Sequence, residues 1–192
     1  MFQFILTLLF IIGIIIVNGD LNLLQRVVGA MNTFTVSFFG HREIERPFVI
    51  EQRLETVITD LIKTKDYIEF LVGRDGEFDQ LASSTVRSVA KRLEYGNTAL
   101  VLVLPYMRAE YRDNEESYHR YYDEVEICEE SATAYPAAAF KKRNRAMVDR
   151  CDLVICCVER KEGGAYSTMR YAERSGKNIL NLAVDKNFSD KM

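Results

Sequence analysis

The chain has no tryptophan, and its 192 residues include only three prolines, two histidines and four cysteines. So little proline, with only ten glycines, excludes collagen-like and low-complexity chains, and a hydrophobic share of 48% excludes an unfolded one. Cys128, Cys151, Cys156 and Cys157 are too few for a disulfide scaffold and form no C-x-x-C pair. Adjacent Cys156 and Cys157 lie in an apolar run where alternate side chains point to opposite faces, so they cannot jointly grip one metal. With only His41 and His119 to add, no zinc site is expected, and the cysteines read as small buried hydrophobes of a reducing cytoplasm. Charge of one sign is scarce as well. Twenty-five Lys+Arg against 28 Asp+Glu leave a net −3, which argues against nucleic acid as a partner held by phosphate neutralisation. The G-x-x-x-x-G-K-[ST] and G-x-G-x-x-G fingerprints are absent, which argues against a P-loop ATPase and a standard NAD dehydrogenase. No cofactor is called for.

What is present is unevenly spread. Residues 2–17 carry only Gln3 and Thr7 as polar residues and no charge. A helix of that length would reach about 24 Å, short of the roughly 30 Å hydrocarbon core of a bilayer. The run also lacks the basic start and small-residue cleavage site of an export signal, since the first basic residue is Arg26. Three readings stand: a short membrane anchor, a translated stretch upstream of a true start at Met31, or an export signal. The expected division is an apolar helix within residues 1–30 and a globular domain over 31–192. The domain would be cytoplasmic, tethered to a membrane if residues 1–30 are translated.

From Met31 onward short apolar runs alternate with longer amphipathic ones, the pattern of βα repeats around a parallel sheet. Five main strands are expected at Phe34–Phe39, Tyr67–Val72, Ala99–Leu104, Leu153–Val158 and Asn178–Leu182. Helical spacing of apolar residues places helices at Val49–Thr64 and Asp79–Tyr95, with others at Lys141–Arg150 and at Tyr166–Ser175, the last closed by Gly176. The fold class is α/β, a Rossmann-like, doubly wound, mostly parallel five-stranded sheet with helices on both faces. Between the third and fourth main strands, Arg108–Glu130 holds nine acidic residues against three arginines and reads as a solvated excursion. Within it, Asp113–Tyr122 suits a helical piece and Glu124–Cys128 a short strand. The exposed first helix offers a surface for a homodimer.

Ligands of such sheets bind beyond the carboxyl ends of the strands. The first strand ends in Gly40-His41-Arg42, a small residue for close approach followed by a hydrogen-bonding ring and a fixed charge. The second ends in Gly73-Arg74-Asp75-Gly76 and runs into a helix with Asp79 as the expected N-cap, an anion-binding corner. After the fourth main strand come Gly163 and Gly164, then the hydroxyls of Ser167 and Thr168 at another helix start. The run Lys141-Lys142-Arg143-Asn144-Arg145 carries four positive charges and offers Arg143 to a phosphate.

In this order the segments resemble the SLOG superfamily, and within it the YpsA-like branch. The matching pieces are Phe39-Gly40-His41-Arg42, Gly76-x-x-Asp79-x-x-Ala82, Arg143-Asn144-Arg145-Ala146-Met147-Val148-Asp149, and Gly163-Gly164-x-x-x-Thr168-x-x-Tyr171-Ala172. The superfamily includes DprA DNA-processing proteins and Lonely-guy phosphoribohydrolases, so the resemblance implies binding of a nucleotide or nucleotide-derived molecule. Arg143 matches the arginine of the phosphoribohydrolases, whereas Tyr171 stands where their glutamate would be and the loop lacks its third glycine. The resulting expectation is a sensor or regulatory module whose ligand touches Gly40, His41, Arg42, Gly73, Gly76, Asp79, Arg143, Asn144, Gly163, Gly164, Ser167 and Thr168. The alternative is an N-glycosidic hydrolase in the same pocket, with Arg143, Asp79 and Glu162 as catalytic candidates and Glu159 as a further source of the carboxylate.

Overall fold

Strands buried on both faces must be apolar along their whole length, and that requirement produces the central sheet. The structure, a computed structural model, describes residues 32–184, apart from the side chains of residues 136 and 137. The apolar run at 2–17 and its expected helix lie outside the described residues. Among the described residues no helix is long and apolar enough to cross a membrane.

Strands β1 (Thr33–Gly40), β2 (Tyr67–Val72), β3 (Thr98–Leu104), β4 (Glu124–Ile127), β5 (Leu153–Cys157) and β6 (Asn178–Asn181) form one sheet in the order β4-β3-β2-β1-β5-β6. Every pairing is parallel. The sheet therefore has six strands rather than the expected five. The additional member, β4, reads Glu-Val-Glu-Ile and is nowhere fully buried, so its composition marks a solvated edge rather than a core strand. The other edge, β6, is equally short.

Seven helices are described between these strands: α1 (Pro47–Thr64), α2 (Glu77–Leu93), α3 (Ala109–Asp113), α4 (Glu115–Tyr121), α5 (Glu129–Ala132), α6 (Pro136–Arg150) and α7 (Gly163–Arg174). Helix α1 buries Ile50, Leu54, Val57, Ile58, Leu61 and Ile62, the apolar stripe read from its spacing. Helix α2 begins at Glu77 on Gly76 as N-cap, not on Asp79. Asp79 instead sits in the first turn and accepts the N–H of Asp75, the residue before the N-cap, at 2.9 Å. Helix α6 starts five residues before its expected position because its first turns are alanine-rich, helical by propensity but without an amphipathic pattern. Gly176 ends α7 at φ 68°, with Lys177 N–H donating to the Ala172 carbonyl.

Alternation along the strands divides the core into two layers. Phe38, Ile155 and Cys157 face the layer containing α1 and α2, whereas Phe39, Val154 and Cys156 face the layer containing Met147, Val148 and Ala172 of α6 and α7. All four cysteines are free and buried. Burial raises the thiol pKa of Cys157 to about 12 and that of Cys156 further, so both behave as inert hydrophobes.

Gly40 is required by this packing. A Cβ there would meet the ring and Cβ of Phe78 at 2.3–2.5 Å, and Phe78 is wholly buried. Gly40→Ala is expected to lower stability by about 1–3 kcal/mol, read as a lower urea midpoint. Gly164→Ala, whose added Cβ meets nothing within 4 Å, should leave that midpoint unchanged or higher.

Candidate nucleotide site at the strand-order reversal

The chain builds the sheet outward from β1 through β2 and β3 to β4, then crosses back to place β5 on the other side of β1. Connections leave the two neighbours in opposite directions at that point, which opens a crevice at their carboxyl ends. Gly40 is in register with Cys157, so the last residues of β1 and β5 form the floor.

Three hydrogen bonds lock the surrounding loops. His41 N–H donates to the Cys157 carbonyl at 3.3 Å, and Arg160 N–H donates to His41 Nε2 at 3.2 Å. Glu77 N–H donates to the Arg42 carbonyl at 2.9 Å, tying the first loop to the start of α2. Because Nε2 accepts, the His41 proton is assigned to Nδ1; burial, reinforced by the nearby Arg160 charge, lowers its pKa and keeps the ring neutral. His41 is thus a latch between two loops as well as part of the crevice wall.

The crevice holds about 440 Å³. Ten of the twelve residues expected to touch ligand line it: Gly40, His41, Arg42, Gly73, Gly76, Asp79, Arg143, Asn144, Gly163 and Gly164. Ser167 and Thr168 do not. Thr168 is buried, donates to the Gly164 carbonyl at 2.9 Å and accepts from Asn144 Nδ2 at 3.1 Å, and both it and Ser167 line a neighbouring groove. Glu159 and Glu162 also lie off the wall, leaving Asp79 as the one proposed carboxylate that reaches it. Phe38, Phe39, Asp75, Phe140, Met147, Arg160 and Ala165 complete the wall and were not singled out as ligand contacts. Asp75 was legible as a loop residue beside Gly76 and Met147 as a member of the helix that carries Arg143, whereas Phe140 precedes the expected start of that helix and Arg160 falls between the expected strand and the glycine segment after it.

Arg143 dominates the electrostatics. Its side chain is 6% exposed, its Nη1 donates to the Val103 carbonyl at 2.7 Å, and its Nη2 lies 3.5 Å from Asp75 Oδ2. Its Nε is buried with no hydrogen-bond partner. Asp75 also receives Arg108 Nη1 at 2.8 Å. Gly73 stands where a Cβ would meet Asp79 Oδ2 at 2.7 Å and Arg143 Nη1 at 2.8 Å, so a side chain here would collide with the charge cluster. Across the crevice, Gly163 at φ 81° and Gly164 have open space where a Cβ would project, and the first N–H groups of α7 are the orphan donors of a helix N-terminus.

Burial raises the Asp79 pKa to about 6, opposed by Arg143 and by the Asp75 N–H and reinforced by the Asp75 charge. A carboxyl raised on folding favours the folded state while protonated, and that contribution is lost as pH rises from about 4 through about 6. Asp79→Asn is therefore expected to gain stability relative to the parent across this window, by up to about 3 kcal/mol. Urea denaturation at pH 4 and pH 7 checks this: an unchanged difference between the two proteins would place the Asp79 pKa in its ordinary range.

No protein-family profile and no curated protein matches the sequence. Among solved structures, the chain is similar to DNA processing protein A (DprA) of Streptococcus pneumoniae, with 14% identity and a TM-score of 0.57, over 82% of this chain and 52% of that one. It is also similar to DprA of Helicobacter pylori, with 17% identity and a TM-score of 0.53, over 76% of this chain and 63% of that one. This chain thus spans about half to under two thirds of their length. The Helicobacter pylori structure describes a single-stranded DNA binding mode, which overturns the expectation that argued against nucleic acid as a partner. That expectation rested on net charge, a sum over the chain that conceals where its cations gather. These structures do not address the YpsA-like branch. The described domain therefore shares the Rossmann-like fold of these DprA structures.

Proposed function

We propose that the crevice binds a nucleotide through its phosphate, as a sensor or regulatory module, with the phosphate between Arg143 and the N-terminus of α7. The carrying observation is the buried Arg143 Nε, a charged donor with no partner on the wall of a pocket at the strand-order reversal. Open backbone at Gly163 and Gly164 supports close approach by an anion. The likeness of the fold to a DprA that binds single-stranded DNA supports a ligand built of nucleotides, free or within a strand. Four buried free thiols support a reducing, cytoplasmic setting.

The second reading is cleavage of an N-glycosidic bond in the same pocket. It is favoured by Asp79, a carboxyl with a pKa of about 6 close enough to Arg143 for that guanidinium to oppose the shift. Such a group can exchange a proton near neutral pH, and Arg143 would hold the phosphate.

The full chain should be incubated with a panel of nucleoside monophosphates while melting temperature and free-base release are followed. Stabilisation by several degrees without base release, abolished by Arg143→Ala, is the expected result. Release of base that Asp79→Asn suppresses would establish the hydrolase instead. If nothing in the panel shifts the melting temperature and no base appears, both readings fail.

A further inference from the structure

Beside the crevice runs a second groove of about 560 Å³ between α6 and α7. Four cations line it, Lys141, Arg145, Arg170 and Arg174, together with the rings of Tyr166 and Tyr171. It shares Phe140, Asn144 and Gly164 with the crevice, so the two spaces adjoin.

Many arginines of the described domain are neutralised by a carboxylate. Arg74, Arg92, Arg108, Arg112, Arg120 and Arg150 each pair with a carboxylate at 2.7–3.5 Å. In the groove only Arg170 does so, with Glu173 one turn along its own helix. No described carboxylate pairs with Lys141, Arg145 or Arg174, in a chain whose acids outnumber its bases. Nor does any carboxylate line the groove. Three unpaired like charges held on two packed helices repel one another, and an anion lying between them would relieve that repulsion. The Arg145 guanidinium lies 5.0 Å over the Tyr171 ring, and that ring is anchored by its hydroxyl, which donates to Asp149 Oδ1 at 2.8 Å. A planar guanidinium on an aromatic ring makes a flat platform on which a base can stack. Cationic groove and stacking surface together are the elements of sequence-tolerant recognition of successive nucleotides.

We infer that the groove receives a second nucleotide unit of the ligand. Its phosphate lies among Lys141, Arg145 and Arg174, and its base against Tyr166 or the Arg145–Tyr171 stack. The ligand is then at least two nucleotides joined through phosphate, by a phosphodiester as in a single strand or by a pyrophosphate as in a free dinucleotide. This rests on the reading that the first phosphate lies against Arg143, and the test separates the two.

Binding to the full chain should be measured for thymidine monophosphate, the 5′-phosphorylated dinucleotide pdTdT, a dT oligonucleotide and NAD, each at low and high salt. A variant combining Lys141→Ala, Arg145→Ala and Arg174→Ala, all at exposed positions, serves as the probe of the groove. At least one of the two-unit ligands is expected to bind about tenfold or more tightly than the monophosphate. The triple variant should lose that gain and its extra salt dependence, with monophosphate affinity and melting temperature unchanged. The stronger of pdTdT and NAD identifies the linkage. Two-unit ligands no tighter than the monophosphate, or a gain that survives in the triple variant, would overturn the inference. Tight two-unit binding that the triple variant loses and Arg143→Ala retains would uphold the groove and sink the Arg143 reading. No binding by any of the four would sink both.

Discussion

A guanidinium taken out of water costs several kcal/mol unless its donors are met, and the arrangement around Arg143 follows from that cost. The Val103 carbonyl at the end of β3 takes one nitrogen and Asp75 approaches another, while Asp79 lies close enough for its charge to be felt. Burial draws the Arg143 pKa below its ordinary value, and the Asp79 and Asp75 carboxylates oppose that pull. Gly73 must lack a side chain because the Asp79–Arg143 contact occupies the space. Arg108 in turn anchors Asp75, so the loop after β2 is fastened to the segment following β3 as well as to α6. One buried cation thus joins three elements that meet nowhere in the sequence. The Nε it leaves unmet is where a ligand acceptor gains most, since the protein has already borne the desolvation.

The domain separates its charges. Acidic residues gather in the crossover from Arg108 to Glu130, where α3, α4, β4 and α5 form the far edge of the sheet. Four cations, Lys141, Arg145, Arg170 and Arg174, line the groove between α6 and α7, beside the strand-order reversal. An anion approaching that groove meets four cations and no carboxylate on its wall, and the groove adjoins the crevice. Mean charge describes solubility and says little about such a local field. This is why −3 was a poor guide to whether nucleic acid could be a partner.

The legible part of the fold was the part under local constraint. β1, β2, β3 and β5 announced themselves because burial on both faces leaves little room for polar residues. β4 was legible only as a short strand within the solvated crossover and not as a member of the sheet, since an edge strand needs only one covered face and tolerates glutamates at alternate positions. Of the site, the residues directly after the strands were legible because any open parallel sheet presents those positions to ligand. Ser167 and Thr168 lie off the crevice wall for a helical reason: one turn beyond Gly163 and Gly164 both line the neighbouring groove, with Thr168 tied back to the Gly164 carbonyl, a placement that composition does not reveal.

Sequence alone determined the α/β class, the main strands, the helix that ends at Gly176 and the opposite orientations of Cys156 and Cys157. All of these depend on periodicities of two or 3.6 residues, which are properties of neighbours along the chain. Only the tertiary structure decided the strand order, the reversal between β1 and β5, the latch from His41 to Arg160 and the burial of Arg143 against Val103. Those pairings join residues 40 and 119 positions apart and arise when two helix layers close on one sheet. No local pattern encodes them, because the energy that selects them comes from packing the whole core at once.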